Sequence, residues 1–314
     1  MPTEEDKPAL RLLRAVGNSP LLRIQLPGLP AEARLFAKLE TLHPGGSIKD
    51  RPIARLLLAA LEDGRLEGRR LLDVVGPAAA VSYAVHCAAL GLPLTLVLPA
   101  DSPRDLIDRV AAHGAEMILA ELTMGEGRQQ SASRAGLEEA RRLMAASPDL
   151  YFFGDLEGGE ESWQAHHDST GHELLTQVFE ASGTAPEAFV MGVGSGATLM
   201  GVARRLLRRR SDLAIVAVEP AEGETLPGLC PLAGRQAEMP AWFDPGLLTG
   251  RMEVHTEDSL ATCRELARQG LFVGPSSGAH VFAAAALLAA GHYRTVATIL
   301  CDGGERYVSR GWWL

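Results

Sequence analysis

Residues 188–218 read AFVMGVGSGATLMGVARRLLRRRSDLAIVAV and join a predicted strand, a glycine-rich turn, a helix and a second strand. The apolar runs Ala188–Met191 and Ile215–Val218 have the length of strands, and Leu199–Arg208 between them has helical periodicity. Strands that alternate with helices are typical of a parallel sheet whose faces are covered by helices. This segment therefore predicts an α/β fold.

The same alternation extends in both directions along the chain. Further apolar runs of strand length are Leu35–Leu39, Leu71–Val75, Leu94–Leu98, Glu116–Leu119 and Val296–Leu300. Further helical patterns are Pro52–Glu62, Val81–Ala89, Pro103–Ala112, Ser131–Met144, Asp258–Gln269 and Ala279–Ala290. We predict two domains, each a mainly parallel twisted sheet flanked by helices, because a chain of 314 residues has room for two.

The predicted domain boundary lies in a polar stretch that contains several glycines, at residues 154–168. Residues 1–153 are expected to form the first domain and residues 154–314 the second. The segment near residues 21–42 is expected to pair into the second domain.

The composition excludes several classes of protein. Hydrophobic residues make up 46% of the chain and charged residues 22%, which is typical of a globular protein. The net charge of −9 argues against nucleic-acid binding, and no apolar run approaches the ~20 residues that span a bilayer. The acidic N-terminus lacks the apolar region of a signal peptide. The four cysteines lack the spacing of a metal site, so we expect a cytoplasmic protein without a bound metal.

The segment PGGSIKDR, residues 44–51, follows the strand Leu35–Leu39 and opens a helix. Its glycines allow a tight turn close to a ligand, and free N–H groups at a helix start bind anions. Lys49 is one of only three lysines in a chain with 30 Lys and Arg residues, so its place beside the glycines suggests a chemical role. A desolvated lysine can lose its proton and form a Schiff base. The alternative is a helix capped by Ser47 with an exposed lysine.

The segment MGVGSGAT, residues 191–198, lies between a strand and a helix and can form a cradle for phosphate. The hydroxyls of Ser195 and Thr198 can add hydrogen bonds to it. The pattern GxGxxA that starts at Gly192 also fits a dinucleotide-binding fingerprint, with Glu219 as the ribose ligand. A third interpretation is a glycine turn that only allows close packing.

Two further motifs belong to the predicted second domain. GPSSG, residues 274–278, precedes an alanine-rich helix, and its serines can either cap that helix or hydrogen-bond a ring nitrogen. CDGGERY, residues 301–307, follows the last predicted strand, at the edge where ligands bind in α/β proteins. It can form a loop beside a ligand or a turn with a surface ion pair.

In this order, the four motifs resemble those of the cysteine synthase and cystathionine β-synthase family, which are pyridoxal-phosphate enzymes of fold type II with a tryptophan synthase β-like architecture. The segments GNSPL, AKLE, STGHE, VEPA and DGGERY are also similar to family segments. They lie at residues 17–21, 37–40, 169–173, 218–221 and 302–307. The resemblance covers nearly the whole chain and favours the phosphate cradle for residues 191–198.

The resemblance implies pyridoxal 5′-phosphate as the cofactor and Lys49 as the lysine that forms the Schiff base. It also implies that consecutive residues of the glycine loop hold the phosphate, namely Gly194, Ser195, Gly196, Ala197 and Thr198. It places Ser276 at the pyridine nitrogen. A neutral hydroxyl leaves that nitrogen unprotonated, which suits elimination or replacement at the β-carbon of an amino acid.

Two segments depart from the family pattern. The family has a TSGNT loop that binds the substrate carboxylate, and the matching residues here are Val75, Gly76, Pro77, Ala78 and Ala79. They provide no side-chain donor, and proline also lacks a backbone donor. Where the family has a glutamine, Asp155 places a negative charge. Because each hydrogen bond to a charged group contributes roughly 1.5–3 kcal/mol, we expect these residues to bind the family's ordinary substrates weakly.

We therefore predict β-elimination or β-replacement on a cysteine- or serine-type amino acid, with altered substrate recognition and poor standard cysteine synthase activity. The alternative is a catalytically silent paralogue that acts through a protein partner, and a dinucleotide-binding enzyme is a further alternative. Lys49, the phosphate loop and Ser276 favour the enzyme, whereas the altered loop at residues 75–79 favours the silent paralogue. The resemblance also implies a homodimer.

Overall fold

The computed structural model describes residues 10–120, 134–233 and 239–313. The chain divides into two compact units. The first consists of Met1–Gly17 and His43–Ser162, and the second consists of Asn18–Leu42 and Trp163–Leu314. The chain therefore passes from one unit to the other three times.

The secondary structure alternates as the sequence predicts. The strands, in chain order, are β1 (Leu21–Ile24), β2 (Arg34–Leu39), β3 (Arg70–Val74), β4 (Leu94–Pro99), β5 (Glu116–Ala120), β6 (Tyr151–Phe153), β7 (Ala188–Gly192), β8 (Ala214–Pro220), β9 (Gly250–Val254) and β10 (Thr295–Leu300). The α-helices are α1 (Arg11–Arg14), α2 (Asp50–Glu62), α3 (Pro77–Leu90), α4 (Arg104–Ala112), α5 (Arg134–Ala146), α6 (Glu160–Ala165), α7 (Gly171–Ser182), α8 (Ala197–Leu207), α9 (Thr256–Arg268) and α10 (Pro275–Ala289). A π-helix, His166–Thr170, connects α6 with α7.

The first unit contains a four-stranded parallel sheet in the order β5-β4-β3-β6. The central strands β3 and β4 are almost fully buried, because both faces of a parallel sheet are covered. Leu71 and Leu96 of these strands pack with Leu57 of α2 and Tyr83 of α3 in one buried core. Helix α3 is apolar on nearly all sides and largely buried.

The second unit contains a six-stranded sheet in the order β1-β2-β10-β7-β8-β9. All its neighbouring strands are parallel except β1, which runs antiparallel to β2 at one edge. Strand β2 pairs with β10, so that Arg34 faces Thr295 and Leu39 faces Leu300. The prediction of mainly parallel sheets flanked by helices is confirmed.

Several element boundaries differ from those predicted. Helix α3 begins at Pro77 instead of Val81, and α10 begins at Pro275 instead of Ala279, because a proline occupies the first helical position after a glycine N-cap in both. The predicted polar stretch at residues 154–168 contains α6 and part of the π-helix. The start of the predicted helix Ser131–Met144 lies outside the described residues. In the part of the chain that the structure describes, no helix is long and apolar enough to cross a membrane.

Candidate functional site

Lys49 is the residue immediately before α2, in the first unit. Gly46 of the preceding loop has a φ of +77°, in the left-handed region that favours glycine. A Cβ atom built on Gly45 would lie 2.7 Å from Asp50 Oδ1, so no side chain fits there without a rearrangement. The backbone N–H of Lys49 donates to Ser47 Oγ at 3.3 Å. The two glycines thus allow the lysine loop to approach buried polar groups.

The Asp50 carboxylate organises this loop. It accepts hydrogen bonds from the Gly45 N–H at 2.7 Å and from the Ser47 N–H at 3.2 Å. From α3, Ser82 Oγ lies 3.0 Å and His86 Nε2 lies 2.7 Å from its oxygens. Burial alone would raise the pKa of Asp50, but the hydrogen bond and charge of His86 and the Gly45 N–H lower this pKa below its ordinary value. The ionised Asp50 therefore fastens the loop to α3.

The two lysines in the described part of the chain have different surroundings. Lys38, in β2 of the second unit, is fully buried. Its Nζ donates to the Ser19 carbonyl at 2.9 Å and to Gln177 Oε1 at 2.8 Å, and it forms an ion pair of 2.8 Å with Glu173. In contrast, the Nζ of Lys49 has no hydrogen-bond or ion-pair partner among the described residues of its own unit. Of these two lysines, only Lys49 therefore has an amine that the described residues of its own unit do not engage.

Residues 75–79 cross from β3 into α3. Gly76 is the N-cap of the helix, and no side chain caps the free N–H groups. Ala78 is half-buried and Ala79 is buried. Ser82 Oγ lies 3.2 Å from the Ala78 carbonyl and also contacts the carboxylate at the start of α2. The segment therefore lies next to the loop that carries the lysine.

Asp155 follows β6 and has a φ of +49°. Its side chain is exposed, and its Oδ1 accepts a hydrogen bond from the Gly158 N–H at 3.3 Å. Asp73, near the end of β3, fixes the backbone next to Asp155. Its Oδ2 accepts hydrogen bonds from the Tyr83 hydroxyl at 2.7 Å and from the Leu156 N–H at 3.1 Å. Burial raises the pKa of Asp73 to about 7.

The first unit thus brings together three of the features predicted from the sequence. Strands β3 and β6 are parallel neighbours, so their carboxyl ends lie at one edge of the sheet. Asp155 and residues 75–79 lie at that edge, and the loop of Lys49 is hydrogen-bonded to the first turns of α3.

In the second unit, the glycine loop connects β7 with α8. Gly196 is the N-cap of α8 with a φ of +88°, and a Cβ atom there would lie 2.5 Å from the Phe243 ring. Ser195 is almost fully buried, and its Oγ accepts from the Ala197 N–H at 3.5 Å. The first N–H groups of an α-helix have no partner within that helix. The loop therefore presents backbone donors at the positive end of a helix dipole.

Thr198, the second residue of α8, contacts a histidine that the sequence analysis did not identify. Its Oγ1 lies 3.2 Å from His166 Nε2, and His166 Nδ1 lies 2.9 Å from Thr170 Oγ1. His166 and Thr170 both belong to the π-helix. A separation of 32 residues between Thr198 and His166 leaves no local sequence signal for this contact.

Ser276 and Ser277 both lie inside α10, whose N-cap is Gly274. Of the two interpretations that the sequence allowed for these serines, capping of the helix is therefore wrong. Ser277 Oγ accepts a hydrogen bond from the Cys301 N–H at 2.9 Å. The Ser276 hydroxyl has no hydrogen-bond partner among the described residues of the second unit. Of the two serines, Ser276 is the one whose hydroxyl remains available to a ligand.

Gly228 lies between the glycine loop and Ser276. A Cβ atom built on Gly194 would be 3.2 Å from the Gly228 carbonyl oxygen, and one built on Gly228 would be 3.6 Å from Ser276 Oγ. The second unit thus brings the loop and the serine close to the same glycine. Backbone donors at a helix start suit a phosphate, and a neighbouring free hydroxyl suits a ring nitrogen, so this donor set fits pyridoxal phosphate.

Two buried acidic residues, Glu219 and Asp302, argue against two interpretations that the sequence left open, a ribose ligand and a surface ion pair. Glu219, in β8, is buried, and its Oε2 accepts a hydrogen bond from the Leu232 N–H at 2.6 Å, which argues against a role as ribose ligand. Asp302 is also buried, and its Oδ2 accepts from the Tyr307 hydroxyl at 2.7 Å. Burial raises the pKa of Asp302 to about 6. Asp302 therefore does not form the surface ion pair considered for residues 301–307.

His280 is a further buried residue that the sequence analysis missed. Burial lowers the pKa of His280 to about 4, so its imidazole is neutral. Its Nδ1 lies 3.1 Å from the Ile299 carbonyl, and its Nε2 lies 2.8 Å from the Gly192 N–H. A neutral ring that donates from Nδ1 and accepts at Nε2 satisfies both contacts. His280 therefore connects α10 with β7 and β10 directly before the glycine loop.

Comparisons with known proteins agree with this arrangement. Residues 12–302 match the family described as "Pyridoxal-phosphate dependent enzyme". Cysteine synthase of Aquifex aeolicus is 33% identical over 98% of this chain and 94% of its own length. Cysteine synthase B of Escherichia coli is 30% identical over 96% of this chain and 95% of its own length. A crystal structure of O-ureido-L-serine synthase aligns with a TM-score of 0.84 and 25% identity, over 95% of this chain and 93% of that one.

Proposed function

Because this chain belongs to the family of pyridoxal-phosphate dependent enzymes, we propose that it catalyses β-replacement or β-elimination on a serine- or cysteine-type amino acid. The family, the fold of type II and the cofactor that the sequence predicted are confirmed. Similarity to cysteine synthases and to an O-ureido-L-serine synthase supports replacement on a serine-type substrate.

The observation that carries the proposal is the environment of Lys49. Its Nζ is not engaged by the described residues of its unit, and its loop is fixed by the buried Asp50. In contrast, the ammonium group of Lys38 already has three partners, the Ser19 carbonyl, Gln177 and Glu173. We therefore assign to Lys49 Nζ the covalent attachment of the cofactor and the transfer of the substrate's α-proton.

Residues of the second unit are assigned to holding the cofactor. The phosphate is assigned to the backbone donors and hydroxyls of Gly194, Ser195, Gly196, Ala197 and Thr198. Ser276 is assigned to the ring nitrogen through its free hydroxyl, which does not protonate that nitrogen. The bound cofactor supplies a sink for electrons from the α-carbon, which allows the β-substituent to leave.

We further propose that substrate recognition differs from that of standard cysteine synthases. Gly76, Ala78 and Ala79 offer only backbone groups at the start of α3. Asp155 adds an exposed carboxylate at the same edge of the sheet. Its negative charge repels the carboxylate of an amino-acid substrate. Acetylserine is therefore expected to bind weakly.

An absorption spectrum of the purified protein with added pyridoxal phosphate tests the assignment of Lys49. We expect a visible band that borohydride reduction converts into a stable label on Lys49, as identified by peptide mapping. Lys49→Ala should lose the band and retain its thermal unfolding transition, because the Nζ has no hydrogen-bond or ion-pair partner among the described residues of its unit. A label on Lys38, or an unchanged band in Lys49→Ala, would contradict the proposal.

The alternative function is a silent paralogue that acts through a protein partner, which the lack of side-chain donors at residues 76–79 supports. Addition of candidate amino acids to the cofactor-loaded protein distinguishes the two. A spectral shift with any serine- or cysteine-type amino acid favours the enzyme, and its absence across the series favours the paralogue.

We also propose a homodimer that functions in the cytoplasm. All four cysteines are buried and none of them forms a disulfide in the structure, which is typical of a reducing compartment. Sedimentation of the cofactor-loaded protein tests the dimer, and a monomer at micromolar concentration would contradict it.

A further inference from the structure

A buried polar cluster lies behind the lysine loop, and we call it the Asp50 network. Its members are Gly45, Ser47, Asp50, Ser82 and His86. The side chains of Asp50, Ser82 and His86 have no exposed surface, and Ser47 is 1% exposed. Apart from Tyr83, helix α3 is otherwise apolar, with the sequence PAAAVSYAVHCAAL, so a fully buried serine and a fully buried histidine in it require an explanation.

The hydrogen bonds of the Asp50 network have a direction. Ionised Asp50 only accepts, so His86 Nε2 carries the proton of their 2.7 Å hydrogen bond. Ser82 donates to Asp50, and Ser47 Oγ, 3.3 Å from Ser82 Oγ, is free to donate to it. Ser47 Oγ also accepts the N–H of Lys49. An unbroken chain of donors and acceptors therefore connects α3 with the backbone of Lys49.

His86 makes only one hydrogen bond among the described residues. Its Nδ1 is buried and has no partner there. An unpartnered buried nitrogen is unfavourable, whereas a leucine would fill the same space without that penalty. The 2.7 Å contact with Asp50 is thus the one interaction that distinguishes His86 from an aliphatic core residue.

We propose that His86 is a positioning residue for Lys49. It orients the Asp50 carboxylate so that the carboxylate accepts hydrogen bonds from the N–H groups of Gly45 and Ser47. These hydrogen bonds fix the conformation of the loop and thereby the orientation of the Lys49 side chain. The inference rests on the proposed attachment of the cofactor to Lys49. It goes beyond that attachment because it assigns the geometry of the lysine to a side chain of a different helix.

The experiment compares three variants of the full-length protein. His86→Leu removes the donor and keeps an apolar filling, whereas His86→Gln keeps a donor at nearly the same reach. Cys87→Ala is the matched control, because Cys87 is a buried neighbour in α3 that belongs to the apolar core. Two properties are measured: the dissociation constant for pyridoxal phosphate, and hydrogen exchange of the peptide with residues 44–51 in the cofactor-free protein.

We expect His86→Leu to weaken cofactor binding by about tenfold, the effect of losing one hydrogen bond to a charged acceptor. Exchange in residues 44–51 should accelerate more than exchange in α4, which serves as an internal reference. His86→Gln should restore both properties to within about twofold of the wild type. Cys87→Ala should lower the melting temperature without a selective change in residues 44–51. If His86→Leu does not fold, Ser82→Ala provides the same comparison with a smaller expected effect.

The inference would be overturned if His86→Leu accelerated exchange equally in residues 44–51 and in α4 and left the affinity for the cofactor unchanged. Failure of His86→Gln to restore either property would also overturn it, because the effect would then not depend on the donor. If instead the wild type does not attach the cofactor to Lys49, the proposed function fails. The exchange measurement still tests the positioning of the loop in that case.

Discussion

Lys38 and Lys49 have the same side chain, but their environments predict different consequences of substitution. Lys38 is completely buried, and its ion-pair partner Glu173 is only 13% exposed. Lys38→Met should therefore lower the free energy of unfolding by about 3 kcal/mol, because it leaves a nearly buried carboxylate without this cation. Lys49→Met is the matched control and should change stability little. Urea unfolding of the cofactor-free proteins measures both, and equal losses would contradict the distinction.

Gly196 combines a left-handed backbone with a close neighbour. Gly223 has a similar φ of +77°, and nothing lies within 4 Å of a Cβ atom built on it. An alanine at Gly223 therefore measures the cost of the left-handed backbone without any steric contact. Gly223→Ala should destabilise the protein by about 1 kcal/mol. Gly196→Ala should destabilise it more and also weaken cofactor binding, because its methyl group would meet the ring of Phe243. Thermal unfolding and cofactor titration provide the comparison, and identical behaviour of the two variants would show that the loop is only a turn.

Single residues were predictable where their neighbours in sequence carry the signal. Lys49 was identified from the adjacent glycines in a chain with few lysines, and its proposed role stays a prediction. His86 and His280 were not identified, because their partners lie far away in sequence. His86 contacts Asp50 across 36 positions, and His280 contacts Gly192 across 88. A lone histidine in an apolar helix gives no indication of which distant group it meets.

At the scale of elements, the start of α3 determines which substrates we expect. Four of the five substitutions Val75→Thr, Gly76→Ser, Pro77→Gly, Ala78→Asn and Ala79→Thr would add side-chain donors there, and Pro77→Gly would add a backbone N–H. We expect slow turnover of acetylserine with sulfide by the wild type and faster turnover by this variant. The combination with Asp155→Gln should be faster still, because it removes the opposing charge. Brisk turnover by the wild type would show that another segment supplies the donors.

Helix α10 is joined to β7 and β10 through His280, and this junction depends on pH. Burial lowers the pKa of His280 from 6.5 to about 4. As the pH falls from 6.5, the unfolded histidine takes up a proton that the native one does not, so native stability decreases. The loss amounts to about 3 kcal/mol by pH 4, from ~1.4 kcal/mol per pKa unit.

The variant His280→Asn isolates this effect. It lacks the titrating group, so its stability deficit relative to the wild type should shrink as the pH falls from 7 to 4. The other ionisable groups contribute equally to both proteins and cancel in the difference. Urea unfolding of the cofactor-free proteins at several pH values measures it, and a constant difference would contradict the burial of a neutral imidazole.

Elements were predictable where burial produces a continuous pattern. The buried strands β2, β4 and β10 consist mostly of apolar residues and lie within one residue of their predicted bounds. Strands β1 and β9 were missed because they lie at sheet edges and are short runs that charged residues interrupt, Arg23 in β1 and Arg251 and Glu253 in β9. Strand β6 was missed because it has only three residues. Edge strands need no covering on both faces, so their sequences lack the signal.

At the scale of the whole molecule, connectivity is the feature that local patterns do not contain. The alternation of strands and helices predicts two parallel sheets, but it does not say which strand joins which sheet. Strand β2 precedes all the strands of the first unit in the chain, yet it lies in the sheet of the second unit, beside β10. The sequence analysis expects the segment near residues 21–42 to pair into the second domain, but the apolar pattern of β2 alone does not contain this long-range pairing.

The pairing of β2 with β10 has a consequence for biosynthesis. A ribosome releases the segment Arg34–Leu39 long before it has translated Thr295–Leu300. The six-stranded sheet therefore cannot close during translation until nearly all of the chain has emerged, whereas the four-stranded sheet, complete by β6, can form while translation continues. In the meantime the β1–β2 hairpin exposes an unpaired apolar edge of the kind that chaperones shield. Destabilising substitutions in β2 or β10 are thus expected to reduce the yield of nascent protein more than similar substitutions in β4.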